Sequence, residues 1–63
     1  MSVDLITDRQ LDYIEALIKH RGQAVITVLT EAAHSGALPE YYLHLSDLTK
    51  SQASQLIRWL LGE

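Results

Sequence analysis

Two four-residue signatures constrain this chain more than any other feature: Thr7-Asp8-Arg9-Gln10 and Thr49-Lys50-Ser51-Gln52. Each reads Thr-x-x-Gln, the reciprocal cap of a helix N-terminus. The Thr hydroxyl accepts from the amide three residues on, and the Gln side chain reaches back to the Thr amide. Ile6 before the first cap and Leu11 after it add a hydrophobic staple, and Leu48 with Ala53 makes a smaller one at the second. Aligning the two starts pairs Thr7 with Thr49, Gln10 with Gln52, Ile14 with Leu56 and Ile18 with Leu60. Shared capping and helical period account for much of that likeness, and two units make no repeat array.

Periodicity extends both starts. Leu11, Ile14, Leu17 and Ile18 form one stripe opposite Asp8, Asp12, Glu15 and Lys19, which predicts a helix over about 8–21. Ala53, Leu56, Ile57 and Leu60, flanked by Trp59 and Leu61, predict another over about 50–61, with Lys50, Ser51, Ser54, Gln55 and Arg58 left to solvent. Between them, residues 24–30 are rich in β-branched side chains and also read as a strand. The helical template fits better: Val25, Val28, Leu29 and Ala32 share a face opposite Gln23, Thr27, Thr30 and His34, predicting a helix over about 23–35. Gly22, Gly36 and Gly62 each fall just past a predicted helix end, where a left-handed residue closes the last turn.

The expected fold is therefore all-α, one compact three-helix domain spanning residues 1–63. A 63-residue chain without cysteine gains nothing from disulfides, so nearly every large aliphatic must be buried or shared with a second copy. Residues 37–48 are expected to pack as a connection anchored by Leu38, Leu43, Leu45 and Leu48. Pro39 offers the first position of a short helical turn over Glu40 to His44.

Charge narrows the function classes. The net charge of −3 leaves few cations to neutralise phosphates, so a strongly basic nucleic-acid-binding surface is excluded while a local basic patch is not. No apolar run is long enough for a membrane span, and Met1-Ser2-Val3-Asp4 lacks the basic flank and apolar run of a signal peptide. A cytoplasmic location is the expectation.

The segment Leu45-Ser46-Asp47-Leu48-Thr49-Lys50-Ser51-Gln52-Ala53-Ser54-Gln55-Leu56-Ile57-Arg58-Trp59-Leu60 resembles the closing segment of a small helical domain of phage and bacterial proteins. That domain often accompanies recombination and DNA-processing modules, or stands alone with no known role. Thr7, Gln10, Tyr13, Ile14 and Leu17 match the pattern of the family's opening helix. The middle of the chain is unmatched, and the matched positions are mostly caps and core. The resemblance implies a helical fold and a DNA-related setting, without a residue-level mechanism.

Catalytic chemistry finds no candidates. His20, His34 and His44 lack the i, i+3 or i, i+4 spacing of helical metal ligands, no nucleophile elbow or phosphate-cradling glycine loop is present, and Asp12 and Glu15 lie on a solvated face. No enzyme, cofactor, metal or small-molecule substrate is expected. The third helix is apolar over more than half its circumference, which suits either a partner surface or cover by residues 37–48. The expectation is a non-catalytic interaction or adaptor module that binds a protein partner or itself through Trp59, Leu61, Tyr42 and Arg58. The alternative is an accessory domain making weak single-stranded DNA contacts through Arg9, Lys50 and Arg58, with Tyr41, Tyr42 or Trp59 stacking on bases. Against either role, Trp59 also reads as a plain core anchor.

Overall fold

A computed structural model describes residues 4–62. Met1 to Val3, which carry most of the N-terminal stretch considered above, and Glu63 lie outside the described residues. The order is helix α1 (Asp8–His20), helix α2 (Val25–Ser35), a single 3-10 turn (Leu45–Asp47) and helix α3 (Lys50–Leu60), with no strand among the described residues beyond one isolated bridge. The three-helix, all-α expectation holds, and the middle segment is helical.

Both capping boxes form. At α1, the Gln10 amide donates to Thr7 Oγ1 at 3.0 Å and the Thr7 amide to Gln10 Oε1 at 3.1 Å. At α3, the Gln52 amide donates to Thr49 Oγ1 at 3.2 Å and the Thr49 amide to Gln52 Oε1 at 3.0 Å. Each box satisfies two amides that a helix start would otherwise leave without partners.

The two capped starts lie side by side. Leu5 and Thr49 form an antiparallel bridge, in which the Ile6 amide donates to the Leu48 carbonyl at 2.9 Å and the Lys50 amide to the Asp4 carbonyl at 2.8 Å. The Asp4 carbonyl thereby takes an orphan donor at the first position of α3. Gln10 Nε2 adds bonds to the Lys50 carbonyl at 3.3 Å and Ser54 Oγ at 3.4 Å. At the far ends, Arg21 Nη1 donates to the Leu60 carbonyl at 3.3 Å. Contacts at both ends make α1 and α3 parallel neighbours. That places their macrodipoles in the unfavourable like-directed arrangement, which Arg21 offsets by putting a cation at the negative ends.

Gly36 explains how α2 stops. At φ 90° it adopts the left-handed conformation, its amide donating to the Ala33 carbonyl and the Ala37 amide to the Ala32 carbonyl at 2.9 Å. Gly22, at φ 71°, closes α1 in the same way, and this shifts the next helix. The Gln23 amide donates back to the Ile18 carbonyl, and Arg21 Nε donates to the Gln23 side chain at 2.9 Å. Residues up to Gln23 are thus committed to ending α1. The second helix begins at Val25 after an extended Ala24, two residues later than its polar face suggests.

The core joins Ile14 and Ile18 of α1, Val28, Leu29 and Ala32 of α2, and Ala53, Leu56 and Leu60 of α3, with Leu38, Leu45 and Leu48 from the connection. Leu11, Leu17, Val25 and Ile57 pack against it half-buried. The assigned stripes are therefore the buried ones.

Two expectations for the connection are corrected. No helical turn forms over Glu40 to His44; the turn falls at Leu45–Asp47, where the Asp47 amide donates to the His44 carbonyl and the Leu48 amide to the Leu45 carbonyl, each at 3.1 Å. That position lets one short turn bury both Leu45 and Leu48. Leu43 does not anchor the segment: it is 69% exposed, because Tyr42 and Leu45 on either side take the inward positions.

Candidate functional site

The residues assigned to partner binding divide by location. Arg58 and Trp59 line one groove of about 380 Å³ with Gln55 of α3 and with Ser35, Gly36 and Ala37 at the end of α2. Gly36 and Ala37 lie in that wall because the left-handed Gly36 turns the chain across the end of α2 toward α3. Trp59 is half-buried and packed against the core, so its ring serves as an anchor while still bordering the groove. Arg58 is exposed and, among the described residues, is the only charged side chain in the lining.

Tyr42 has a different job. Its hydroxyl accepts from Gln52 Nε2 at 2.8 Å, so the Gln that caps α3 also fastens the connection to it. Tyr42 is half-buried and packs against the core. Part of the wide apolar face of α3 is therefore covered by residues 37–48. Leu61 follows the last turn of α3, 47% exposed, and does not line the groove.

The three cations assigned to nucleic acid are also split. Arg9 and Lys50 occupy the adjoining starts of α1 and α3, and both are exposed. Asp8 and Asp47 stand at the same end. Arg58 is two turns further along α3, in the groove with Trp59.

The histidines are dispersed, and among the described residues no group of three or more His, Asp or Glu side chains converges on a point. Tyr41 pairs with His34 Nδ1 through its hydroxyl at 3.1 Å, the rings tilted at 56°, which ties the connection to the end of α2. His44 lines a second groove, described below. Among the described residues no buried side-chain polar atom lacks a hydrogen-bond partner. No helix among them is long and apolar enough to cross a membrane.

Sequence reasoning missed a larger groove of about 540 Å³ between α1, the start of α2 and the connection. Leu11, Val25, Ile26, Leu43 and Leu45 supply its apolar walls, and Glu15 and His44 are its ionisable members. Ile26, off the buried stripe of α2, was its one signal: a large β-branched residue with no core position to fill.

No family model matches the chain, and neither a curated protein nor a solved structure matches it.

Proposed function

We propose that this domain is a non-catalytic interaction module that holds an apolar polypeptide segment bearing a carboxylate in the groove of Trp59 and Arg58. The observation that carries the reading is the composition of that groove: one cation, one indole and one amide side chain, with no acidic residue in the lining among the described residues. On a chain of net charge −3 this is a locally positive notch. A guanidinium donates to a carboxylate in a forked, charge-assisted pair, while the neighbouring indole accepts aliphatic or aromatic surface. A nucleic-acid strand would meet a single cation here, with Arg9 and Lys50 two turns away beside acidic neighbours, which favours a peptide over a polyphosphate.

Trp59 is the sole tryptophan and reports on its own groove. Titrating the domain with a short synthetic peptide of alternating Glu and Leu should shift Trp59 emission. Arg58→Ala should weaken the response by about tenfold, as expected for losing one charge-assisted contact. A Lys–Leu peptide should leave the emission unchanged. Equal binding of both peptides, or tighter binding of a single-stranded oligonucleotide at low salt, would overturn the assignment.

A further inference from the structure

The Trp59 groove has two walls: Ser35, Gly36 and Ala37 at the end of α2, and Gln55, Arg58 and Trp59 on α3. We infer, resting on the reading of that groove as a peptide site, that the carboxylate it takes is the terminal α-carboxylate of a partner polypeptide. Arg58 holds the carboxylate, the partner's last amide N–H donates to the Ser35 carbonyl, and its last side chain lies on Trp59.

The donor is the Arg58 guanidinium. The acceptor exists because of Pro39. A helix leaves its last four carbonyls without partners inside it. Here the amides beyond α2 take only two of them. The Gly36 amide donates to the Ala33 carbonyl at 3.3 Å, and those of Ala37 and Leu38 both donate to the Ala32 carbonyl, at 2.9 and 3.3 Å. Residue 39, four beyond Ser35, is a proline with no N–H to give. Among the described residues, no backbone amide reaches the Ser35 carbonyl.

An acceptor on one wall and a cation on the other suit a ligand whose donor stands next to its carboxylate. The final residue of a polypeptide carries both on one Cα, whereas Asp and Glu side chains set the carboxylate further off. Size agrees: about 380 Å³ lies near the floor of the roughly 300–1,000 Å³ usual for small-ligand sites, which suits a chain end and not a long segment. Nor is there a strand among the described residues whose edge could hold an internal segment by its main chain.

Trp59 emission of the whole chain reads the test. The probe is acetylated Gly-Ser-Ala-Leu, which has no acidic side chain, as the free acid, as the carboxamide, and as the free acid methylated on the Leu amide nitrogen. The free acid should bind. The carboxamide should bind about tenfold more weakly or worse, for loss of a charge-assisted contact, and the methylated acid about fivefold more weakly, for loss of a neutral one. Arg58→Ala, at an exposed position where helicity should be preserved, should bind acid and carboxamide alike. Equal wild-type affinity for acid and carboxamide would overturn the inference. So would a preference for the acid that survives Arg58→Ala, or indifference to methylation. The Glu–Leu and Lys–Leu peptides, with their ends blocked as carboxamides, read side chains alone. If blocked Glu–Leu shifts the emission and the acetylated free acid does not, the groove holds a side-chain carboxylate and only this inference falls. If neither does, the reading of the groove as a peptide site falls with it.

Discussion

Gln10 and Gln52 hold the same position in identical caps, yet replacing each with Glu should have different consequences. In both boxes Oε1 accepts from the Thr amide, a role a carboxylate keeps, and an acidic group at a helix start interacts equally well with either macrodipole. The difference lies in Nε2. That of Gln10 donates to the Lys50 carbonyl and to Ser54 Oγ, joining α1 to α3. A carboxylate cannot donate, and it would face the carbonyl oxygen at about the distance where the amide now bonds. That of Gln52 donates to the Tyr42 hydroxyl, which can rotate and donate to a carboxylate instead. Gln10→Glu should therefore be less stable than Gln52→Glu by about 1 kcal/mol, the net worth of one hydrogen bond. In a domain of this size that corresponds to a melting temperature lower by about 4–8 °C. Urea unfolding followed by far-ultraviolet circular dichroism at pH 7 measures the gap. The sign with pH follows from the comparison: the Lys50 carbonyl disfavours the charged form at position 10 relative to position 52, so the gap exists only where the introduced carboxyls are ionised, above the ordinary Glu value of about 4.3. The gap is thus absent at low pH, where the protonated group donates, and opens as pH rises and the carboxyls ionise. Equal stabilities at pH 7, or a gap that persists unchanged below pH of about 4, would refute the reasoning.

Three further outcomes follow from the packing. Leu56→Ala, at a fully buried site between the helices, should cost about 2–5 kcal/mol and leave a chain this small largely unfolded by circular dichroism at 37 °C. Gly36→Ala should cost about 1–2 kcal/mol in urea unfolding despite open space for the added methyl, because the penalty lies in the left-handed φ of 90°. Tyr42→Phe removes the acceptor of Gln52 Nε2 and should cost about 1 kcal/mol, lost from the same urea midpoint, whereas Tyr41→Phe at the exposed His34 pair should cost less.

The helices were legible because their determinants are local. Thr7 and Gln10, Thr49 and Gln52, and the apolar stripes of Ile14, Leu29 and Leu56 act within a turn or two of the chain, and each does in the fold what its spacing implies. The Leu5–Thr49 bridge was not legible, since it depends on where two distant segments meet. The connection was half legible: Leu38, Leu45 and Leu48 had to be buried, but which of four leucines would be left outside depended on Tyr42 reaching Gln52. The site followed the same division. Arg58 and Trp59 are adjacent in sequence and fall in one groove, whereas Tyr42, in the connection, and Leu61, past the last turn of α3, do not line it. The Leu43 groove needed three separate segments to be brought together, and only Ile26 hinted at it.

The parallel seam between α1 and α3 also dictates a folding order. Its closing hydrogen bonds join residues 39 to 44 positions apart, so neither end of the seam can form until most of the domain is available. Contacts of such long range cost loop-closure entropy before they return anything. Until α3 is in place, Ile14, Ile18 and Leu29 have only part of the core to pack against. Native-state hydrogen exchange should retain that history: the amides of Ile6 and Lys50, on opposite sides of the bridge, should open together and at the same free energy.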